Sequence, residues 1–452
     1  MKIINSDDFN LYWKNEQKKS EDIKTEKIVK KIIAEVREKG DAAVRKYASK
    51  FDKSSPEKLE VPLCAAKKAY DELRVIDLAL ADALELAAAN IKRFSEKQKE
   101  QFADFEYEMG KGLITGQKII PVQKAAIYIP GGRFPLFSSV LMCMIPSFIA
   151  GAEEVILSSP PAEDGLPDRR TLAAAAIAAR TAGVSLGETN EKKLRIFAMG
   201  GAQAVAALAL GTETAPRVDV IAGPGNKYVA AAKKILFGEV GIDFIAGPTD
   251  VLIISEQIKN NNEQIEENKI ADVIASDMIG QAEHDVDARA RALVETNELA
   301  DSIVKAIERR LVKLPTAKTA RASLDAGGLI IVYKNKEEAI RIANTIAPEH
   351  LELQTSDTES WISHLKNYGS LFIGQLSAEV LGDYSAGINH TLPTSASARF
   401  TGGLSVRHFL KTVTTLRCSQ GENFEKARNA AEIIARAEGL EGHAQSAEIR
   451  KL

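Results

Sequence analysis

From Gln123 onward the chain runs as short apolar stretches, each ending in glycine or proline and each followed by an alanine-rich stretch of helical period. This is the alternation of an α/β sheet, and it restricts the fold more than any other feature. Ala125-Ala-Ile-Tyr-Ile129 reads as a strand, Pro130-Gly-Gly132 as its turn, and Ser138 onward as the following helix. Glu154 to Ser158 and Leu172 to Ala182 repeat the pair. Arg195 to Leu208 runs from strand to helix through Gly200-Gly201, with Gln203 in the first helical turn. Val218 to Tyr228 does the same through Gly223-Pro-Gly-Asn226. Glycine turns at strand ends and exposed helix N-termini suit phosphate or polar groups, so a nucleotide site is expected within residues 128–248. Neither Gly-x-Gly-x-x-Gly nor Gly-x-x-x-x-Gly-Lys-Ser/Thr stands there to name the nucleotide.

The texture continues beyond this region. Ile242 to Ile254 carries two strand-like runs around Gly247-Pro248, the polar insert Lys259 to Lys269 reads as a solvated loop or helix start, and Gly328 to Tyr333 is another strand. Two related sheets are therefore expected. The first hundred residues are mainly helical by period, with Val29, Ile32, Ile33 and Val36 on one face, and their charge runs read as solvated faces. Phe424 to Ala437 is an amphipathic helix near the end.

At 452 residues the length prior is roughly three domains, and a 45% apolar content supplies their cores. Lys and Arg total 59 against 62 Asp and Glu, so no basic field points to nucleic acid or an anionic membrane, and small-molecule chemistry is the default. The longest apolar stretch, Val140 to Ala152, is too short to span a bilayer. Charges within the first eight residues exclude an ordinary secretory signal. Cys64, Cys143 and Cys418 are too few and too scattered for a disulfide framework or a cysteine zinc cluster, and a cytoplasmic location is expected.

Chemistry is suggested by polar groups in the second half. Gln281 and His284 stand three apart in a helical pattern, which puts an amide oxygen and an imidazole on one face. These two alone do not complete a metal site. Glu349 and His350 follow Pro348, which can occupy the first turn of a helix; the pair is either structural or, near a metal and a nucleotide, an acid–base pair. Asp383 and His390 lie in a glycine-rich polar stretch, as a carboxylate and an imidazole for a site or as a turn cap and a loop histidine. His443 stands near the C-terminus, and His364 and His408 are assigned to structure.

Together, Gln281-Ala-Glu-His-Asp285, Ala347-Pro-Glu-His-Leu-Glu-Leu353, Gly382-Asp-Tyr384, Asn389-His-Thr-Leu-Pro-Thr394 and the Glu438 to His443 tail resemble the histidinol dehydrogenase family. Tyr-Ile-Pro-Gly-Gly at 128, Gly-Gly-Ala-Gln-Ala at 200, Gly-Pro-Gly-Asn at 223 and Ala-Gly-Pro-Thr at 246 extend the resemblance over most of the chain from Gln123 to Arg450. The resemblance implies a zinc enzyme that oxidises L-histidinol to L-histidine through the aldehyde with two NAD, in the last step of histidine biosynthesis. It implies Gln281, His284, Asp383 and His443 as zinc ligands, and His350 and Glu349 as the acid–base pair. Thr249, Glu379, His390 and Glu438 are implied, with the metal ligands and His350, as substrate contacts, and Tyr128, Gln203 and Asn226 as NAD contacts. A homodimer is implied in which each tail completes the partner's site.

The expected fold is α/β, with two Rossmann-like sheet domains bearing helices on both faces, a helical N-terminal segment (1–25) and a small helical C-terminal tail domain (405–452). Residues 128–248 form the NAD-binding domain and residues 26–127 with 249–404 a larger domain carrying the metal and acid–base residues. Thr249-Asp250 stands where members commonly have Ser-Glu, Val286 where proline is usual and Gly442 where alanine is common. Paralogues oxidise other alcohols, including sulfonated propanediols, but Glu379 would pair with a substrate amine and repel a sulfonate. A non-catalytic, metal-stabilised nucleotide-binding protein is the rival from another class. A zinc hydrolase lacks its His-Glu-x-x-His helix.

Overall fold

The computed structural model describes residues 1–16, 23–131, 135–187, 193–245, 247–256 and 263–451, with the side chains of 263–267 outside that description. The end of the turn at Gly132, Ala246 of the motif at 246 and the first part of the 259–269 insert therefore lie outside the described residues.

The first sheet has six strands in the order Glu60–Val61, Leu194–Ala198, Glu154–Ser159, Lys124–Tyr128, Val220–Ala222, Gly241–Ile242. All pairs are parallel except the edge pair at Glu60–Val61. Its central strand shows why a continuous apolar run forms here. Ala125 and Ile127 enter one buried cluster and Ala126 and Tyr128 the other, so every position of the strand faces a layer of helices. Strand order departs in both directions from Lys124–Tyr128, which opens a crevice between its carboxyl end and that of Val220–Ala222.

A second sheet of six parallel strands runs Lys2–Asn5, Leu329–Val332, Arg289–Val294, Asp250–Ser255, His350–Gln354, Ser370–Ile373. Val251 and Ile253 face one cluster and Leu252 and Ile254 the other. Its order reverses between Asp250–Ser255 and His350–Gln354. A three-stranded antiparallel sheet, Leu410–Cys418, Leu113–Pro121, Phe105–Gly110, joins the tail to the middle of the chain.

Three expectations are corrected. Residues 26–99 belong with the first sheet rather than with 249–404: Ile23–Phe51 packs on Gly201–Leu210 and Lys227–Leu236, Leu63–Ile76 on Arg169–Thr181, and Leu78–Lys99 on Phe137–Ala150. The two-residue strand Glu60–Val61, hydrogen-bonded to Leu194–Ala198, fixes that placement. The N-terminal segment is not only helical, because Lys2–Asn5 pairs with Leu329–Val332 as an edge of the second sheet. The tail is likewise not purely helical, since Leu410–Cys418 precedes the helices Glu422–Ala437 and Glu441–Glu448. Among the described residues no helix is long and apolar enough to cross a membrane, and all three cysteines are free.

Candidate active site

The amino ends of the two central strands of the second sheet carry the most crowded group of charges. The helix Lys336–Ile346 ends on Ala347, which is left-handed (φ 51°, ψ 62°), and Pro348 then forbids its continuation. The chain thus delivers Glu349 to the brink of His350–Gln354 and His350 to its first position, paired with Val251. This corrects the helical reading of Pro348: a proline without an N–H is tolerated just before a strand starts, and the His-Leu-Glu-Leu run has strand rather than helix burial.

Both residues are buried, at 5% and 3% exposure. Glu349 Oε2 lies 2.5 Å from the Thr249 hydroxyl and accepts from the Asp250 N–H at 3.0 Å, while Asp250 Oδ1 accepts the Glu349 N–H at 3.1 Å. Asp250 is in turn paired with the buried Arg291 at 2.9 Å. Burial pushes the Glu349 carboxyl up to about 7, against the pull of His350 and Thr249. His350 Nδ1 lies 3.3 Å from the Asp250 carbonyl and 4.0 Å from Glu379, and Nε2 lies 3.3 Å from Asp383. Burial disfavours the imidazolium, but Glu379, Glu349 and Asp383 outweigh it and raise the His350 pKa well above its ordinary value.

Glu379 and Asp383 occur four apart on the short helix Glu379–Tyr384, which aims both carboxylates one way. His284 reaches them from the turn just after Glu263–Ala282. His284, Glu379 and Asp383 each offer a donor atom within 4.8 Å of the others, a mixed nitrogen and oxygen set suited to a divalent cation such as zinc. His350 Nε2 and Asp383 Oδ1 face one another without a hydrogen-bonding geometry, so two buried polar atoms point into this space unsatisfied. Gln281 is also buried. Its amide is satisfied when its nitrogen donates to Glu379 and its oxygen accepts from the Asp250 N–H at 3.0 Å and the Thr249 hydroxyl at 2.7 Å.

His390 bridges the two sheets' helices. Its Nδ1 donates to the Asp383 carbonyl at 2.6 Å, which leaves Nε2 to accept from Ser139 Oγ at 2.8 Å. Burial holds it neutral by lowering its pKa. These groups line a pocket of about 180 Å³, whose far wall is Pro224, Gly225 and Phe244 from the first sheet. Of the expected site residues, Thr249, His284, Glu349, His350, Asp383 and His390 line it directly. No residue of 405–452 is among its lining, and the expected His443 and Glu438 are exposed on the tail. His408 serves structure as assigned, closing a capping box with Ser405.

The expected NAD contacts gather at the crevice of the first sheet. A cavity of about 590 Å³ is lined by Gly201, Gln203, Asn226 and Tyr228, with Lys31, Lys46, Tyr47 and Phe51 opposite. Asn226 caps Lys227–Leu236 through Tyr228 N–H at 3.0 Å. Tyr128 is buried beneath, its hydroxyl accepting the Gly201 N–H at 2.9 Å. Two acids were not singled out by sequence reasoning. Asp250 was noticed only as a departure, and Asp52, 3.5 Å from Gln203 Nε2, follows a helix end that carries no motif.

A switch-point crevice beside a buried histidine, a near-neutral carboxyl and a cation-type donor set fits an enzyme that acts on a small molecule. The family model described as Histidinol dehydrogenase matches residues 14–451, and the chain belongs to that family, NAD-dependent oxidoreductases that act on an alcohol in histidine biosynthesis. It is 43% identical to the histidinol dehydrogenase of Aquifex aeolicus, over 94% of this chain and 92% of the relative. Identity to that of Thermus thermophilus is 42%, over 94% of both. The crystal structure of histidinol dehydrogenase from Elizabethkingia anophelis superposes with a TM-score of 0.84 at 32% identity, covering 96% of this chain and 93% of that one.

Proposed function

We propose that the chain oxidises L-histidinol to L-histidine through the aldehyde, by two hydride transfers to two NAD, with one zinc at the His284 and Asp383 end of the pocket. The observation that carries this is His350 placed between Glu349 and Asp383, with His284 and Glu379 beside them. His284 and Asp383 would hold the metal, with Gln281, whose amide oxygen would turn from the Asp250 N–H and the Thr249 hydroxyl, and the partner subunit's His443 as the further ligands. Zinc supplies positive charge there that binds the substrate's imidazole or amine and offsets the surrounding carboxylates.

His350 acts from its neutral imidazole, which the charge of a bound metal would favour over the imidazolium that Glu379, Glu349 and Asp383 stabilise here, and takes the hydroxyl proton as the first hydride leaves the carbinol carbon for NAD. Glu349, a carboxyl balanced near neutrality, takes a proton from water as that water adds to the aldehyde carbon. His350 returns its proton to the carbonyl oxygen as the hydrate forms, and, neutral again, takes a hydroxyl proton of the hydrate as the second hydride leaves for the second NAD. Glu379 pairs with the substrate amine, and Thr249 holds Glu349 in place. His390 fixes the Asp383 backbone, and with Glu438 of the tail adds substrate contacts. Gln203 and Asn226, with Tyr128 beneath them, would hold NAD, and the enzyme is a cytoplasmic homodimer.

Zinc-loaded protein supplied with NAD and histidinol, or with sulfopropanediol, tests this through NADH. Two NADH per histidinol are expected, and turnover of the sulfonate alone sinks the reading. Deleting residues after Leu440 is expected to remove zinc affinity and activity together, and a zinc-loaded, active truncation would refute the shared site.

A further inference from the structure

The wall between the alcohol pocket and the cofactor cleft is the turn Gly223-Pro-Gly-Asn226. Pro224 and Gly225 line the pocket, and Asn226 lines the cleft. Gly223 adopts φ +115°, and a Cβ there would meet the Tyr128 carbonyl oxygen at 2.2 Å, so the turn passes close against that strand and takes no side chain at this position. Both backbone polar groups of Gly223 are held by one ion pair. Lys233 Nζ donates to the Gly223 carbonyl at 3.1 Å, and Asp243 Oδ2 accepts the Gly223 N–H at 2.8 Å. Lys233 and Asp243 bond each other, their side chains 3% and 0% exposed.

The same pair reaches the next segment of the wall. Asp243 Oδ1 accepts the Phe244 N–H at 2.7 Å, and Phe244 and Gly247 also line the alcohol pocket. Neither Lys233 nor Asp243 lines either cavity. A buried ion pair is a poor source of stability, because apolar residues of similar volume often do as well or better. What it supplies here is direction: three hydrogen bonds that set the turn and the following segment against each other.

We propose that Lys233 and Asp243 are positioning residues for hydride transfer, fixing the wall that sets how closely the carbinol carbon meets the nicotinamide. This rests on the reading above that the cleft takes NAD and the pocket the alcohol. In the transfer the C–H electron pair and its hydrogen pass to the nicotinamide and the hydroxyl proton to His350; the ion pair touches neither. It keeps the two reactants at reacting distance, where a small displacement is costly.

The test uses zinc-loaded enzyme with histidinol carrying deuterium or hydrogen at the carbinol carbon. Lys233→Met combined with Asp243→Leu removes all three hydrogen bonds without stranding a charge. Its kcat is expected to fall about tenfold to a hundredfold, with KM for NAD and histidinol within about threefold and a deuterium isotope effect larger than the native one. Pro224→Gly loosens the same turn with the ion pair intact and is expected to raise the isotope effect in the same direction. Loss of activity merely in proportion to unfolded or zinc-free protein, with an unchanged isotope effect, overturns the proposal. So does a kcat within about twofold of native. If the double variant does not fold, an unchanged isotope effect in Pro224→Gly overturns it. Native enzyme that forms no NADH from histidinol would instead remove the underlying reading.

Discussion

In the sheet built around Lys124–Tyr128 the cavity lies beyond the carboxyl ends of the strands, whereas in the sheet built around Asp250–Ser255 the candidate site lies at the amino ends. The first arrangement works through backbone: glycine turns and helix starts at Gly201 and Asn226 border the cleft and leave space for a ligand. The second works through side chains, with Glu349, His350 and Asp250 sealed at the start of adjacent strands and Glu379 and Asp383 lowered onto them. The sheets share the order of five parallel strands and differ in which end is used. The first should therefore be sensitive to added atoms, and the second to altered charge.

The largest effect is expected on the side-chain end. His350→Gln keeps a hydrogen-bonding group but cannot take the alcohol proton, and kcat should fall roughly a hundredfold to ten thousandfold with folding retained. Steady-state NADH formation and a melting curve measured together check this; an active variant would break the contrast. Glu379→Gln comes next and sharpens it. If Glu379 faces the substrate amine, kcat/KM for histidinol should fall by about 2–3 kcal/mol, or roughly thirtyfold to a hundred-and-fiftyfold, with zinc content unchanged. Zinc lost in parallel, measured by metal analysis, would make Glu379 rather than Gln281 the ligand beside His284 and Asp383.

On the backbone end the corresponding variant is Gly223→Ala. Its φ of +115° and the 2.2 Å approach to the Tyr128 carbonyl leave no place for a methyl group. A loss of about 1–3 kcal/mol is expected in denaturant unfolding. An alanine tolerated without loss would mean that the turn is looser than its packing indicates.

How much of this was legible follows the same division. The central strands of the first sheet were read within a residue or two, since Ala125-Ala-Ile-Tyr-Ile129 is apolar at every position and is buried on both sides. Edge strands were not. Lys2–Asn5 and Glu60–Val61 are short and partly exposed, and their pairing is supplied by distant chain. The exposed Phe105, Tyr107 and Met109 of Phe105–Gly110 give no burial pattern to read. In the site, Gln281, His284, Glu349, His350, Asp383 and His390 stand out by spacing and polar clustering, and a family resemblance supplies their roles but not the sheet ends they occupy. Lys233 and Asp243 lie ten apart without a periodic or motif signal, so nothing in the order of residues joins them to Gly223.

The smallest effect concerns Asp52, a half-buried acid beside the first crevice. Asp52 has an amide neighbour, Gln203 at 3.5 Å, where Asp250 of the second sheet has the Arg291 guanidinium at 2.9 Å. Burial therefore raises the Asp52 carboxyl to about 6 from an ordinary value of 3.8. With the folded value above the unfolded one, the proton is bound more tightly in the folded chain. The stability this gives is fully present below about pH 4 and is lost as pH rises through about 6. Two units would be about 3 kcal/mol, but the group is partly solvated, and about 1 kcal/mol is the expectation after screening. Asp52→Asn carries no such loss. In denaturant unfolding without NAD, it should match the native chain near pH 4 and exceed it by about 1 kcal/mol near pH 8. A pH-independent difference would mean that the amide neighbour compensates the Asp52 carboxylate fully, whereas Asp250 stays raised by burial even beside Arg291.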